Sequence, residues 1–508
     1  MIGYEFLLSR IPLRMPPITV PARVMPVTRV EAVGDVVAVP RHVAPAGDAT
    51  VLDHVLFALK HETMQLALLL EALKLVPEPE LADALIQQRQ GGYLRKAAYL
   101  WEKANDRSLP LPFDTTGGNY IDLFDPDRYW TGPLWEKNAK YRVNVNGIGP
   151  LAFCPVVRRD DALEARGAAV FDRLRIWASD PGNVAMVDRV MSWAYLSDTR
   201  ASFAIEKETP SPNKERAFLD AMAQLGQREP LTEDYLVGLQ NLVITNPFAT
   251  EVAFRNKQNW LQRAGHGPLA VQYVPPTPED AQRLMDGLMR MANATEGTVP
   301  PLVKAALVSF GFVFIHPFMD GNGRVSRLLA HHSLQAQGAL PNIGSTPAIL
   351  PLSVAMKRHE QDYLLALQAF SRPMRQLWDV TAISEADFSF EYCASPWLYA
   401  HWDGTAAAGF LTTCAEQALS ESLIEETAFL QAYDRAWSRI DRAFDLPDRT
   451  INLLIQWIRQ NGGRMPERRR TTREAAGLSA EQITSIETIV AECFGDTDGP
   501  PAANETAS

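Results

Sequence analysis

The stretch that decides the fold is Ile315-His-Pro-Phe-Met-Asp-Gly-Asn-Gly-Arg-Val-Ser-Arg327. Ahead of it, residues 302–315 are apolar almost all round, which predicts a buried helix. We expect this helix to deliver His316 to the rim of a cavity. A second helix is predicted to begin at about Arg324 and to end near Gly338, a suitable residue just beyond a helix end.

The turn between these two helices is suited to a phosphorylated ligand. Gly321, Asn322 and Gly323 are predicted to turn through positive φ values and to point successive N–H groups into one concavity. Such a concavity at a helix N-terminus binds anions, phosphate above all. Asp320 adds a hard carboxylate of the kind that holds Mg²⁺ beside phosphates.

Charged and titratable side chains complete the pattern. Arg324 and Arg327 are three residues apart, so both guanidinium groups lie on one helix face and reach the same polyphosphate. His316 is the nearby side chain whose pKa class suits a general base at neutral pH. A base, a metal carboxylate, an anion-binding turn and two arginines together predict phosphoryl or nucleotidyl transfer.

The segment resembles the signature of the Fic family, His-x-Phe-x-Asp/Glu-Gly-Asn-Gly-Arg-x-x-Arg. All eight constrained positions match, and a chance match is on the order of one in ten billion per starting position. The segments around Tyr273-Val-Pro-Pro, 278–291 and Pro300-Pro301 also resemble the family's run-up to the motif. The likeness covers about 195–375. It implies a mainly α fold, with a Fic-type helical core and a short β-hairpin flap.

The resemblance implies AMPylation, in which AMP passes from ATP to a Ser, Thr or Tyr hydroxyl of a target protein and pyrophosphate is released. His316 would take the hydroxyl proton, and Asp320 would hold Mg²⁺. The ATP phosphates would be bound by Gly321, Asn322, Gly323, Arg324 and Arg327. The phosphorylating branch of the family has Lys where this chain has Gly323, so the resemblance favours AMP transfer over phosphate transfer.

The family's flap is expected at 266–274, where it would bind the target segment as an added strand. Its target-docking residues would be Leu269, Ala270, Val271, Gln272 and Tyr273. This assignment implies a protein partner, and self-modification is compatible with it.

One branch of the family carries an inhibitory helix, expected here at about 195–208. Ser202-Phe-Ala-Ile-Glu206 fits its pattern Ser/Thr-x-x-x-Glu-Gly/Asn, whereas Lys207 does not. The Glu of that pattern pairs with the second arginine, here Arg327, and withholds it from the γ-phosphate. Lys207 either competes for Glu206 or changes how the helix ends. Glu206 also fits a solvated helix surface, and Ser202 a helix cap.

Three interpretations of the function stay open. The first is a protein adenylyltransferase that uses ATP and Mg²⁺ and is autoinhibited by Glu206. The second is a deAMPylase, in which Glu206 positions a water that removes AMP from a modified protein. The third is a non-enzymatic regulatory binding scaffold, whose regions 1–150 and 380–508 carry the biological role.

Composition limits the partners. The 508 residues, 46% of them hydrophobic, suit about three globular units. A net charge of −11 argues against a nucleic-acid or anionic-membrane coat. No uncharged apolar run reaches the ~18 residues of a spanning helix, and the scattered cysteines suit a reducing compartment. We therefore expect a cytoplasmic protein without a membrane partner, and homo-oligomers are compatible with the sequence.

The chain is expected to divide into four parts. Residues 1–150 form a mixed or α-helical N-terminal region, 151–375 the Fic domain, 376–495 a helical C-terminal region and 496–508 a disordered tail. The arginine run at 468–473 fits a solvated turn better than a DNA-reading helix. His331 and His332 point about 100° apart on a helix, so a core or interface role is expected rather than a metal site.

Overall fold

The computed structural model describes residues 1–225, 229–343, 346–384 and 387–495. Within these ranges the chain is mainly α-helical with short strands, which confirms the predicted fold class. The predicted disordered tail, 496–508, lies outside the described residues.

The N-terminal part alternates helices with short strands around its own hydrophobic core, which runs from Tyr4 to Val156. Its two three-stranded sheets have the orders β1-β3-β2 and β4-β6-β5, each with one parallel and one antiparallel pair. The elements are α1 (Gly3–Arg10), β1 (Ala22–Val24), β2 (Glu31–Val33), β3 (Val36–Val39), α2 (Val51–His61), α3 (Leu66–Lys74), α4 (Glu78–Gln87), α5 (Gly92–Asn105), β4 (Ile121–Asp122), β5 (Glu136–Asn138) and β6 (Val143–Val145).

The middle of the chain forms the largest core, around a buried helix, α11 (Pro301–Ile315), that packs against α10, α12 and α15. The other elements are α6 (Asp161–Ser179), α7 (Val184–Ile205), α8 (Pro212–Gln224), α9 (Glu233–Val243), β7 (Leu261–Gln262), β8 (Val271–Tyr273), α10 (Pro278–Asn293), α12 (Asn322–Ala336), β9 (Asn342–Ile343), β10 (Thr346–Pro347), α13 (Leu352–Arg358), α14 (Glu360–Arg375), β11 (Trp378–Ala382), β12 (Phe388–Tyr392) and α15 (Thr405–Gln417).

Phe153 links the N-terminal part to this core. Its side chain is fully buried and lies against two glycines, Gly287 of α10 and Gly311 of α11. A Cβ atom at Gly287 would stand 2.5 Å from the Cβ of Phe153, and one at Gly311 would stand 2.9 Å from its Cζ. Since such distances are shorter than van der Waals contact, only glycine admits the ring at these two positions.

The boundary predicted at 375 falls inside the middle core. Residues between Ala394 and Leu423 belong to the same hydrophobic cluster as α11. A separate C-terminal cluster is formed by α16 (Glu425–Ala443), which continues from a π-helical turn (Ala418–Ile424), and by α17 (Asp448–Gln460), α18 (Glu467–Arg470) and α19 (Ala480–Phe494). The sequence does not indicate this division between the middle and the C-terminal cluster, because α15, the π-helical turn and α16 form one nearly continuous helix across it.

The region after 375 also contains strands where helix was predicted. Strands β11 and β12 pair antiparallel, from Trp378 opposite Tyr392 to Ala382 opposite Phe388. In β12 the buried Phe388 and the partly buried Phe390 and Tyr392 recur at every second position, which is the period of a strand. This hairpin packs against the β7–β8 hairpin through Trp260 and Val271.

Candidate active site

His316 stands at the end of α11 in a left-handed conformation, with φ 54° and ψ 58°. Its N–H donates to the Phe312 carbonyl at 2.9 Å and closes the last helical turn. Few residues other than glycine adopt this conformation. The turn carries the imidazole away from the helix axis while keeping the side chain almost fully buried.

The contacts of the imidazole define its tautomer. Nδ1 lies 3.1 Å from the Val313 carbonyl oxygen. Because a carbonyl oxygen only accepts, Nδ1 carries the proton and Nε2 is the basic nitrogen. Burial lowers the pKa of His316 to about 4, and the nearby cation of Arg255 acts in the same direction. The imidazole is therefore neutral at pH 7 and able to accept a proton.

The helix after the loop begins two residues earlier than predicted, at Asn322, with Gly321 as its N-cap at φ 85°. Gly321 has the predicted positive φ, whereas Asn322 and Gly323 do not and lie in the first helical turn. The N–H groups of this first turn, which an α-helix does not pair internally, come directly after the left-handed Gly321. The N-terminus of a 15-residue buried helix thus faces the loop, where its dipole favours an anion.

The side chain of Asn322 stabilises the loop itself. Its Oδ1 accepts from the Phe318 N–H at 3.0 Å, and its Nδ2 donates to the Phe318 carbonyl at 2.8 Å. With the amide engaged in this way and almost fully buried, only the backbone of Asn322 is left for a phosphate. The backbone N–H group of Asn322 is therefore the group that would contact a phosphate.

Arg327 is buried against the end of α7. Its Nε donates to Ser202 Oγ at 2.8 Å, and its Nη2 donates to the Ser202 carbonyl at 2.7 Å and to Glu206 Oε1 at 2.9 Å. The arginine side chain is 2% exposed and that of Glu206 is 35% exposed. Ser202 thus contacts Arg327 directly, instead of capping its own helix.

The end of α7 explains the departure at Lys207. Lys207 adopts φ 59° and donates its N–H to the Ala204 carbonyl, while the Glu208 N–H donates to the Phe203 carbonyl. This is the Schellman arrangement, in which glycine or asparagine usually takes the left-handed position. Lysine adopts it at a cost of about 1–2 kcal/mol. Lys207 therefore ends the helix as Gly or Asn would, and Glu206 keeps its direction.

Glu206 occupies the space above Gly323. A Cβ atom built at Gly323 would lie 2.2 Å from Glu206 Oε1 and 3.3 Å from Arg327 Nη1. Because residue 323 has no side chain, a carboxylate approaches the first turn of α12 closely. We call this space between Gly323 and the guanidinium of Arg327 the cradle. A phosphate oxygen is the other anionic group that would fit it.

Arg324 is held by two carboxylates. Its Nη1 donates to Glu208 Oε2 at 2.6 Å and its Nη2 to Asp320 Oδ1 at 3.1 Å, while Thr245 Oγ1 also donates to Glu208. Within the described residues, the buried Nε of Arg324 has no hydrogen-bond partner. The sequence analysis did not predict a role for Glu208. Its position two residues after Glu206 was the available signal, because the Schellman turn at Lys207 brings both carboxylates to the two arginines.

Asp320 is half exposed and accepts hydrogen bonds from the Gly321 N–H and from Arg324. In the described part of the chain, no three His, Cys, Asp or Glu residues are grouped to hold a metal ion. A single hard carboxylate fits a Mg²⁺ ion that takes its other ligands from phosphates and water. The residues thus suit a metal delivered with a nucleotide.

The predicted flap is a hairpin, but it begins earlier than expected. Strand β7 pairs Leu261 with Tyr273 and Gln262 with Val271 of β8, so the first strand lies before residue 266, where the flap was expected to begin. Leu269 is 88% exposed and Gln272 is exposed, whereas Ala270, Val271 and Tyr273 are buried. Of the five predicted docking residues, two therefore face solvent and three anchor the flap.

His331 and His332 are both buried, as expected for core residues. His331 Nε2 lies 3.0 Å from Asp198 Oδ2, and Asp198 also accepts from the N–H and hydroxyl of Ser353. This buried network joins α7, α12 and α13. It holds the helix that carries Glu206 against the helix that carries Arg327.

Residues 230–334 match the model of the Fic/DOC family. The chain contains a Fic/DOC domain. The match includes α9, the flap and the whole segment from His316 to Arg327. The three residues that contact the two arginines from the end of α7 lie outside the match, because Ser202, Glu206 and Glu208 precede residue 230.

Curated relatives are similar to this chain over a short region. A protein named "Protein adenylyltransferase Fic" from Drosophila yakuba is 44% identical over 72 residues, which is 14% of this chain and 14% of that protein. The Drosophila melanogaster protein of the same name is 43% identical over 72 residues, 14% of this chain and 15% of that protein. The chain therefore spans only about a seventh of the length of these relatives.

Solved structures with Fic domains give distant matches. A Fic family protein from Desulfovibrio desulfuricans G20 has a TM-score of 0.38 and 16% identity, covering 66% of this chain and 85% of that chain. A Fic domain containing signaling protein from Bacteroides thetaiotaomicron VPI-5482 has a TM-score of 0.37 and 19% identity, covering 51% of this chain and 95% of that chain.

Proposed function

We propose that this chain is a protein adenylyltransferase that transfers AMP from ATP to a Ser, Thr or Tyr hydroxyl of a target protein. The observation that carries the proposal is a neutral imidazole, with Nε2 as its basic nitrogen, on the loop that leads to a helix N-terminus with two arginines in its first turns. The name of the curated relatives supports the same activity. Incubation with ATP labelled at the α- or the γ-phosphate tests it, because AMP transfer leaves only the α label on protein.

The reaction balances with these groups. The target hydroxyl oxygen attacks the α-phosphorus, the bond from that phosphorus to the bridging oxygen of the β-phosphate breaks, and pyrophosphate leaves. The hydroxyl proton passes to Nε2 of His316. Arg324, Arg327 and the N–H groups after Gly321 would bind the phosphate oxygens and stabilise the charge that develops. The unpaired Nε of Arg324 supplies one donor for this.

Asp320 would hold Mg²⁺ together with the ATP phosphates. Bound there, the metal would neutralise phosphate charge and orient the nucleotide. Asp320 must first give up its ion pair with Arg324. Binding of the metal nucleotide and release of Arg324 are therefore expected to occur together.

Glu206 would inhibit the reaction by filling the cradle above Gly323 and holding Arg327. The close approach of its carboxylate to Gly323 and the ion pair at 2.9 Å support this role. A phosphate cannot enter the same space, and it would be repelled by the carboxylate charge. ATP thus binds productively only after Glu206 moves away.

Glu208 would act as a second inhibitory carboxylate. Its ion pair with Arg324 is shorter than that of Glu206 with Arg327, and both carboxylates follow the end of α7. Movement of this one helix end would therefore release both arginines. Glu208→Gln removes the charge and keeps the shape of the side chain.

We expect Glu208→Gln to raise the rate of AMP transfer by roughly 5-fold or more, in the lower part of the usual range of regulatory coupling. The gain should be larger in the wild type than in a Glu206→Gly protein, because one movement frees both arginines. Initial rates of pyrophosphate release from the two single variants and the double variant measure this. An equal gain in rate in the wild type and in the Glu206→Gly protein would contradict the release of both arginines by one movement.

The pH dependence tests the assignment of the base. Because burial lowers the pKa of His316 to about 4, its neutral form persists as the pH falls from 8 to about 5. We expect kcat/KM for ATP, measured with the Glu206→Gly protein, to lack an acid limb in this range. An acid limb with a midpoint near the ordinary histidine pKa of about 6.5 would contradict the buried base.

The flap would bind the target as an added strand beside β7 or β8. Exposed Leu269 and Gln272 would then contact the target side chains. Self-modification follows if an exposed hydroxyl of one copy reaches the flap of another. Such a step requires at least a transient homo-oligomer.

A second candidate is removal of AMP from a modified protein. The half-exposed carboxylate of Glu206 favours it, because a carboxylate beside the phosphate cradle also suits the positioning of a water. Glu206→Gly distinguishes the two functions. It should raise AMP transfer but abolish AMP removal. A scaffold role is distinguished by a biological effect that survives in His316→Ala protein.

A further inference from the structure

Arg255 lies in the loop between α9 and β7, and its side chain is buried. Its described side-chain hydrogen bonds all go to backbone carbonyl oxygens. Nε donates to His316 at 2.8 Å, Nη1 to Lys257 at 2.9 Å and Nη2 to Pro276 at 2.5 Å. The backbone N–H of Arg255 also donates to the Pro317 carbonyl at 2.7 Å. One residue therefore binds two successive peptide groups of the His316 turn and the segment that leaves the flap.

We propose that Arg255 is the positioning residue for the base, fixing the left-handed His316 turn and the end of the flap to a single loop. The inference rests on the proposed function, in which His316 receives the proton of the target hydroxyl. A left-handed histidine persists only where its surroundings over-determine it. The two carbonyl contacts from Arg255 supply this restraint at residues 316 and 317.

The contact between Arg255 and the flap gives this arrangement a role in catalysis in addition to its role in stabilising the turn. Pro276 follows β8, so the guanidinium connects the hairpin proposed to hold the target hydroxyl with the turn that holds the imidazole. A displacement of about 1 Å between reacting groups costs on the order of 100-fold in rate. Arg255 thus sets the separation between the base and the bound target.

The charge of Arg255 adds a second effect. Among the groups facing His316, burial and the Arg255 cation lower its pKa, whereas the Val313 carbonyl and the carboxylates of Glu206 and Asp320 raise it. Loss of the cation is therefore expected to raise the pKa of His316. Lysine would keep the charge but lose the planar fork that binds three carbonyls together.

Arg375 provides a matched control. It is another arginine whose guanidinium donates to flap carbonyls, Val271 at 2.9 Å and Pro268 at 3.0 Å, and to the Trp378 carbonyl at 3.1 Å. It makes no described contact with His316 or Pro317. We expect Arg375→Met to leave the His316 titration unmoved.

The experiment compares Arg255→Met, Arg255→Lys and Arg375→Met in the full-length Glu206→Gly protein. Pyrophosphate release gives kcat and KM for ATP. NMR of histidine-labelled protein gives the titration of His316, whose resonance is assigned by its loss in His316→Ala. For Arg255→Met we expect kcat to fall by roughly 10- to 100-fold with a much smaller change in KM. The imidazole should titrate at higher pH than in the parent.

Arg255→Lys should keep the parental titration but recover kcat only in part. Folded Arg255→Met protein with parental kcat and parental titration would overturn the proposal. If Arg255→Met does not fold, a Lys variant with parental kcat would overturn it equally. Absence of AMP transfer from the parent itself would instead overturn the proposed function, and a raised His316 titration in Arg255→Met would still support the positioning role.

Discussion

His316→Ala is expected to lower AMP transfer by about 10²- to 10⁴-fold, the usual contribution of a positioned general base. The reason is that Nε2 is the basic nitrogen of the imidazole, since Nδ1 donates to Val313. Initial rates of pyrophosphate release in the Glu206→Gly background measure the loss. ATP binding should persist, because the arginines and the first turn of α12 are untouched.

The left-handed conformation of residue 316 requires a second variant. Alanine relaxes from this conformation, whereas asparagine adopts it readily and still lacks a base. We therefore expect His316→Asn to be as inactive as His316→Ala. His42→Ala, at an exposed histidine of the N-terminal part, serves as the control and should keep the parental rate. An active His316→Asn protein would show that the imidazole is not the base.

Glu206→Gly is expected to raise AMP transfer by roughly 5–150-fold, the range of a coupling of about 1–3 kcal/mol. Under the proposed inhibition, the substitution would empty the cradle above Gly323 and would release Arg327 for the γ-phosphate. ATP affinity should rise together with the rate, since the carboxylate would compete for the same space. Calorimetric titration with ATP and Mg²⁺, alongside the rate assay, separates the two effects.

Lys207→Gly is the matched control for this variant. It also introduces a glycine at the end of α7, but at the position that is already left-handed. It should leave the rate unchanged and keep Glu206 on Arg327. A gain in rate from Lys207→Gly equal to that from Glu206→Gly would mean that loosening of the helix end, and not loss of the carboxylate, activates the enzyme.

The central motif was predictable because its physics is local. The apolar run before His316 indicates a buried helix, and the glycines after Asp320 indicate a turn there, with Gly321 as its left-handed residue. The resemblance to the family's inhibitory helix also indicated Ser202 and Glu206. Their contacts with Arg327 depend on how α7 packs on α12, which spacing alone does not describe.

Other features depend on contacts between distant segments. Arg255 is an isolated arginine in a loop, and its partners His316 and Pro276 are separated from it by 61 and 21 residues. In the sequence, Glu208 is one of three consecutive charged residues that fit a solvated helix surface. In the structure, the turn at Lys207 brings its carboxylate to Arg324. The sequence predicts helix for the segment after Arg375, where the structure has a hairpin. Its aromatic residues are compatible with a helix or a strand, and the pairing with a second strand decides between them.

The sequence predicts no membrane-spanning helix. In the described residues, no helix is both long enough and apolar enough to cross a bilayer. The arginine run predicted as a solvated turn forms the short helix α18, where Arg470 lies 3.9 Å from Glu487 and Arg469 lies over the ring of Trp457. These contacts engage part of the run within the C-terminal cluster.

The most direct test of AMP transfer uses ATP labelled at either the α- or the γ-phosphate. Glu206→Gly protein is incubated with each, alone and with cell extract, and label retained on protein is measured with His316→Asn as the control. The account predicts retention of the α label only, lost in the control. Retention of the γ label would contradict it, because ATP would then bind in the reverse orientation and the enzyme would transfer phosphate.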